Sequence, residues 1–477
     1  MTSERIAPGL RQALIAFALA QFICSFAGSN MNVMITDISQ DLDTTVQGVQ
    51  LAITLFLLVM AALMIPGGKL TDLLGRKWCL IAGLILFGSG ALLSAFAPGL
   101  GVLIIGYSIL EGVGTALLIP PVYILTTLLF RDLGSRAKAF GLISAMGGVG
   151  AVAGPLIGGL VASAIHWRAA FVLQAVIVLV IVLLARRAVR DPLPADRTMP
   201  FDVLGAVLSA AGLILIVMGI LVSDDNVWAF VGLVLAGVLM LVWFFATVRA
   251  KERTGGEPLL STVLFRNRTS NLGLITQNMQ WLMVMGSSFV VSTYLQVVRG
   301  YNAIETGAVF TATTVGVLIS SLAAGRMARR RPQRTLIIAG FVVTISGIAL
   351  LLLLGGTGDG VWAMLPGLFV IGLGLGGMLT PSVNVVQSSF GEDLQGEISG
   401  LSRSVSNLGS SLGAALTGTI LVAQVDGSHP GRAYVWAMIA VAGAGVIGLI
   451  AAAYLPRGGF TPASDTQSAP AGGSRST

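Results

Sequence analysis

Fourteen apolar runs punctuate the sequence, near 12–36, 47–66, 78–97, 101–130, 139–163, 169–187, 201–222, 228–248, 271–294, 304–328, 334–354, 362–387, 399–423 and 433–455. An α-helix rises about 1.5 Å per residue, so about 20 residues cross a hydrocarbon core of about 30 Å. In lipid a segment must satisfy its own backbone hydrogen bonds, which a helix does. The runs therefore predict an all-α integral membrane protein with fourteen transmembrane helices. Charged residues make up only 10% of the chain, against about 25% in a soluble domain. Cys24 and Cys79 both fall inside runs, so no disulfide framework is implied. The first run is too long for a signal-peptide core and reads as a retained span.

The basic residues orient these spans. With the N-terminus in the cytosol, 24 of the 28 Lys and Arg fall on the cytosolic side, three fall outside (Arg168, Arg299, Arg432), and Arg403 lies within a span. That asymmetry is the positive-inside pattern. It predicts a multi-pass protein of the bacterial cytoplasmic membrane with both termini cytosolic. The net charge of +7 then belongs to the inner membrane face and calls for no nucleic acid.

The chain also repeats. At an offset of 259, Gly141, Leu142, Gly150, Gly154 and Gly159 match Gly400, Leu401, Gly409, Gly413 and Gly418; at 257, Gly68, Lys69 and Lys77 match Gly325, Arg326 and Arg334. Spans 2–5 thus recur as spans 10–13. The expected organisation is an N-terminal six-helix bundle (1–187), linkers and an inserted hairpin (188–270), a C-terminal six-helix bundle (271–457) and a disordered Gly/Ser/Pro-rich tail (458–477).

Between spans 2 and 3 stands Gly67-Gly68-Lys69-Leu70-Thr71-Asp72-Leu73-Leu74-Gly75-Arg76-Lys77. This G-x-L-x-D-x-x-G-R-K turn resembles the signature loop of the major facilitator superfamily of secondary transporters. The plain alternative is that its cations set topology and Asp72 caps a helix. In span 5, Gly150, Gly154, Pro155, Gly158 and Gly159 resemble the motif of drug/proton antiporters, although small residues also serve ordinary helix packing. His166-Trp167-Arg168-x-x-Phe171, Leu264-Phe265-Arg266-Asn267-Arg268 and Tyr294-Leu295-Gln296 look like further segments of the fourteen-span drug:proton antiporter branch. The resemblance implies two pseudo-symmetric six-helix bundles plus a hairpin, alternating access around a midplane site, and Gly68, Asp72, Gly75, Arg76 and the span 5 motif as conformational-switch residues.

Two departures bear on mechanism. The acid usual in span 1 of that branch is Ala27 here, and the span 4 Arg-x-x-Gln is Ser108-x-x-Glu111. Glu111 is left as the one carboxylate well inside a span, about 15 Å deep by helix rise. Intramembrane ionisable groups are functional candidates, so Glu111 is the proton-coupling candidate; a Glu hydrogen-bonded to a neighbouring helix is the alternative. Tyr107 and Ser108 are expected on its face. Gln277, Gln280 and Trp281 on span 9, Asn407 on span 13 and Gln21 on span 1 complete the substrate-path candidates. Arg403 shares a face with Asn407, about 6 Å inside the expected boundary of its run, where it can snorkel.

No catalytic cluster, metal-ligand spacing or phosphate-binding lysine motif is present, which points away from an enzyme and from any cofactor. The expected function is a proton-coupled multidrug efflux transporter for amphipathic or lipophilic small molecules, embedded in the lipid bilayer as a monomer. A facilitator or importer of a small polar metabolite, and a non-transporting membrane sensor or scaffold, stay open as alternatives.

Overall fold

The computed structural model describes residues 8–130, 133–189, 191, 201–222, 226–256, 258–327, 331–355, 361–391, 394–425 and 430–456. Fourteen long helices run through them: α1 Gly9–Asp41, α2 Val46–Leu74, α3 Arg76–Ala95, α4 Leu100–Leu129, α5 Leu133–Ala164, α6 Trp167–Ala188 and α7 Val203–Leu221. They continue as α8 Val227–Arg253, α9 Arg268–Val298, α10 Ala303–Met327, α11 Gln333–Gly355, α12 Leu365–Gln387, α13 Gln395–Val425 and α14 Pro430–Ala453. The tip of the α7–α8 turn, 223–225, and the tail from 457 lie outside the described residues.

Twelve of these helices are long and apolar enough to cross a membrane unaided, and α5 joins them as two segments bent by 40°. The bend falls between Ala151 and Ala153. Pro155 explains it: its ring removes the hydrogen bond to the carbonyl of residue 151 and crowds that carbonyl. Helix α13 is the exception on apolarity, because Ser402, Arg403, Ser404, Ser406, Ser410 and Ser411 interrupt it. Those serines are buried and serve packing: Ser404 donates to the Ala61 carbonyl at 2.5 Å and Ser411 to the Thr54 carbonyl at 3.2 Å, both on α2.

Helices α1–α6 pack as one bundle and α9–α14 as a second. The bundles meet along two seams, α2 against α13 and α5 against α10. Helix α7 lies over the first seam, where Leu213, Val217 and Ile220 meet Leu55 and Leu58 of α2 and Leu408, Leu412 and Ala415 of α13. Helix α8 leans on α7 and turns Trp228, Leu235, Leu239, Val242 and Trp243 outward, as a lipid-facing helix must. The chain then returns through a strap whose Leu259, Leu260 and Leu264 are buried with Phe244, Val248, Val386, Ile398 and Leu401. The strap is pinned by Ser261 N–H donating to Glu397 (2.8 Å) and Thr262 N–H donating to Glu252 (2.7 Å).

The 67–77 turn is built from its sequence. Helix α2 stops at Gly75, whose φ of 95° is a backbone state that side chains disfavour. Helix α3 starts at once, and Asp191, just beyond α6, caps it by accepting from the Arg76 N–H at 2.8 Å and the Lys77 N–H at 3.3 Å. The Arg76 guanidinium stands 3.9 Å from the same carboxylate. The turn is thereby tied to the end of the sixth helix. The side chain of Asp72 lies outside the described residues.

Candidate functional site

A hydrogen-bonded chain runs from α1 through α4 to α13, across from one bundle to the other. The Tyr123 hydroxyl donates to Gln21 Oε1 at 3.2 Å, and Gln21 Nε2 donates to Ser25 at 3.3 Å. Arg403 donates to the Tyr123 hydroxyl, and its guanidinium carbon lies 4.7 Å from the centre of the Tyr123 ring. Phe140 of α5 stacks on the other side of the system, 5.7 Å centre to centre from Tyr123. Arg403 thus reaches across from α13 to α4. Its helix starts at Gln395, four residues before the expected start at 399, which sets it about 12 Å up the helix.

Glu111 is fully buried, and neither carboxyl oxygen has a hydrogen-bond partner. It closes a π-helical segment of α4, Ile104–Glu111, in which backbone hydrogen bonds reach five residues rather than four. That wider turn changes the expected stacking of Tyr107, Ser108 and Glu111 on one face. Tyr107 donates to the Ala27 carbonyl of α1 at 3.1 Å, Ser108 donates to the Ala52 carbonyl of α2 at 2.7 Å, and the Glu111 stem lies over Gly90 of α3. A Cβ built at Gly90 would stand 2.9 Å from Glu111 Cγ. Tyr107 and Ser108 thus act as helix-to-helix ties. Glu111 sits within the N-terminal bundle, with Tyr107 and Cys24 in its electrostatic reach; Cys24 also feels Arg403.

The span 9 candidates separate toward different helices. Gln277 accepts from Ser402 of α13 at 2.8 Å, and Gln280 accepts from Ser382 of α12 at 2.7 Å. Asn278 donates to the Val405 carbonyl at 2.8 Å, while Trp281 and Asn407 are half-buried. Near their C-terminal ends, α1 and α9 are laced together. Gln296 donates to the Asn32 carbonyl (2.8 Å) and to Ser292 (2.8 Å), accepts from the Thr36 N–H (3.1 Å), and Ser292 also donates to the Asn32 carbonyl. Gln296 precedes a second π-helical stretch's end, Tyr294–Val298. On the other seam, the Ile304 N–H donates to Ser163 at 3.0 Å. In this state the bundles are joined at the end that carries the C-termini of α1, α5 and α9.

The span 5 motif explains how the helices come so close. Gly150 and Gly154 face the α1 backbone, where a built Cβ at Gly154 would lie 3.0 Å from the Asn30 nitrogen. Gly158 faces Asn30, Gly159 faces Ala303 of α10, and Pro155 meets Gly307. Gly68, by contrast, has room: its built Cβ comes no closer than 3.8 Å, to Pro120. Sequence reasoning missed Tyr123 and Ser382 as partners and the two π-helical stretches. A hydroxyl inside an apolar run was the available signal for Tyr123; local π geometry leaves no trace in composition.

Comparison with known proteins agrees with this architecture. The family model for the Major Facilitator Superfamily matches residues 17–203 and 194–414. The chain is 30% identical over 413 residues to the puromycin resistance protein pur8 of Streptomyces alboniger, covering 85% of this chain and 81% of that one. It is 30% identical to the multidrug efflux pump LfrA of Mycolicibacterium smegmatis, over 78% of this chain and 73% of the other. It is 26% identical to the multidrug resistance protein Stp of Mycobacterium tuberculosis, over 86% and 75%. In three dimensions it is similar to the crystal structure of a peptide transporter, POT, in complex with sulfate, with a TM-score of 0.67 over 95% of this chain and 98% of that chain at 17% identity. That likeness speaks to the fold alone.

Proposed function

Because this chain belongs to the Major Facilitator Superfamily, we propose that it is a proton-coupled exporter of amphipathic or lipophilic small molecules, working by alternating access. It is a multi-pass membrane transporter and not an enzyme. The export direction draws on the efflux and resistance proteins to which it is similar. We place it in a bacterial cytoplasmic membrane with both termini cytosolic, on the strength of the charge asymmetry, and read 1–187 and 271–457 as the units that rock.

One observation carries the coupling proposal. Two ionisable groups without an opposite charge beside them among the described residues, Glu111 on α4 and Arg403 on α13, sit within the helices, one on each bundle. An unpartnered ionisable group in an apolar interior is expensive and is kept for a function. Glu111 is the member that can exchange a proton. Its place against Gly90 of α3, away from the seam, favours a mechanism in which protonation alters α3–α4 packing instead of contacting the solute. The test uses proteoliposomes, radiolabelled puromycin and an imposed pH gradient. Wild-type protein should concentrate puromycin against its gradient; Glu111→Gln should abolish gradient-driven transport and keep puromycin exchange at equal pH. A Gln variant that responds fully to the pH gradient removes Glu111 from the coupling mechanism, and wild-type protein indifferent to the gradient removes proton coupling itself.

A further inference from the structure

We propose that Arg403 recognises an acidic group on the transported solute, so that the favoured cargo is an organic anion: a lipophilic, aromatic body carrying a carboxylate or a group of the same charge. This rests on the transport reading above and adds a substrate class to it. The argument begins with what Arg403 lacks. Among the described residues it has no carboxylate partner; its contacts are the Tyr123 hydroxyl and the Tyr123 ring, with Cys24 in electrostatic reach. A guanidinium stays charged and carries five donors in a planar fork. One bond to a hydroxyl leaves most of that fork unused. None of its nitrogens is among the sealed-off polar atoms without a partner, and the residue is half-buried. The remaining donors are therefore neither sealed off nor taken up by a protein carboxylate among the described residues.

The carboxyl group that could neutralise it from within the protein is Glu111, which packs over Gly90 of α3 and has no partner at all. The two groups do not pair in this state. A cation held about 12 Å up a membrane helix without a counter-ion is costly to maintain. An incoming anion would remove that cost, and a carboxylate fits the fork through two parallel bonds.

The surroundings fix the fork in place for such a ligand. Tyr123 holds one edge of the guanidinium and is itself held by Gln21, so little freedom is left for the solute to freeze out. The Tyr123–Phe140 pair, 5.7 Å apart and nearly parallel at 19°, lies beside the charge as an aromatic wall. Charge and wall belong to opposite bundles, α13 on one side and α4 with α5 on the other. A solute contacting both would be gripped only while the two bundles stand as they do here, which is the differential binding that alternating access requires.

The experiment compares anthraquinone-2-carboxylate with its uncharged methyl ester, by quenching of tryptophan fluorescence on purified protein. Wild-type protein should bind the acid at least about tenfold tighter than the ester, the scale of a charge-assisted hydrogen bond pair. Arg403→Gln should erase that preference by weakening the acid while leaving the ester within about threefold. Arg403→Lys keeps the charge without the fork and should retain only a few-fold preference. Tyr123→Phe, which leaves the charge and releases its tether, should fall between wild type and Arg403→Lys, which keeps the test alive if Arg403→Gln does not fold. Wild-type protein with no preference for the acid, including protein that binds neither compound, overturns the proposal. So does an Arg403→Gln variant that weakens acid and ester equally, because that outcome assigns Arg403 to bundle packing. Acid preference in binding together with no transport of either compound would sink the export reading and leave this one standing.

Discussion

The two seams between the bundles are related by the internal repeat, yet they solve the same packing problem differently. At an offset of 257 Gln50 of α2 corresponds to Gly307 of α10, and at 259 Ala414 of α13 corresponds to Pro155 of α5. On the α2–α13 seam the Gln50 amide fills the gap and donates to the Ala414 carbonyl at 3.2 Å. On the α5–α10 seam the equivalent carbonyl, that of Pro155, is met by a bare glycine: a Cβ built at Gly307 would stand 2.7 Å from it. One seam is spaced by a polar side chain and the other closes backbone to backbone. Polar side chains facing lipid would be costly, and α7 lies over the polar seam alone. The inserted hairpin reads physically as a cover for the seam that the Gln50 amide spaces.

Exchanging the solutions should hurt most where there is no room. Gly307→Gln places the α2 solution in the glycine seam and drives its Cβ into the Pro155 carbonyl, where the obstacle is backbone and cannot swing aside. Overpacking of this kind costs about 3 kcal/mol. Thermal unfolding in detergent should show that loss, and transport should fall at least about tenfold, since α5 and α10 could no longer close against each other. Normal stability and transport in Gly307→Gln would mean that the seam is not a close backbone contact.

The reverse exchange should be milder and should reveal coupling. Gln50 lies directly on Gly418, the repeat equivalent of Gly159. Gln50→Gly loses one hydrogen bond and opens a small void, about 1–2 kcal/mol. Gly418→Ala pushes the Gln50 amide off the Ala414 carbonyl and should cost a similar amount. In the double variant the added methyl enters the void, so the two costs should not add. Strict additivity in a double-mutant cycle by thermal unfolding would show that Gln50 does not occupy the Gly418 slot.

These pairings show how far a sequence carries. Helix number and repeat follow from apolar runs and matched glycines, because burial in lipid selects residue types strongly; the seam-forming helices were not read from sequence. Pair geometry follows less readily. The match of Gly150, Gly154 and Gly159 with Gly409, Gly413 and Gly418 was visible, but nothing local said that Gln50 fills one slot where glycine leaves the other empty. Glu111 was legible as an intramembrane acid. Its neighbours were not, since the Ile104–Glu111 stretch winds as a π-helix and carries Tyr107 and Ser108 off the face that a 3.6-residue period gives them. The start of α13 was less legible, because its polar first residues from Gln395 lie outside the apolar run.

The smallest effect concerns the foot of the cover. Asp202 caps α7 by accepting from the Gly205 N–H at 2.7 Å, and pairs with Lys251 of α8 at 2.7 Å. It also accepts from the Leu259 N–H of the strap at 3.4 Å. Burial alone would push its carboxyl up, but the bonds from Lys251, Gly205 and Leu259 outweigh that and hold it below the usual carboxylate range. A carboxyl lowered on folding stabilises the fold at pH values above its unfolded value, about 3.9, and that contribution drains away as pH falls toward the folded value. Asp202→Asn preserves a good cap and removes only the charge, so at pH 7 it should cost about 1 kcal/mol. Followed by thermal unfolding, the gap between wild type and Asp202→Asn should hold from pH 7 to about 5 and then close through pH 4 toward 3. Because the hairpin covers only the polar seam, Asp202→Asn should also deepen the cost of Gln50→Gly while leaving that of Gly307→Gln unchanged. A gap that persists undiminished at pH 3 would detach Asp202 from the acid response, and equal deepening at both seams would detach the hairpin from its role as a cover.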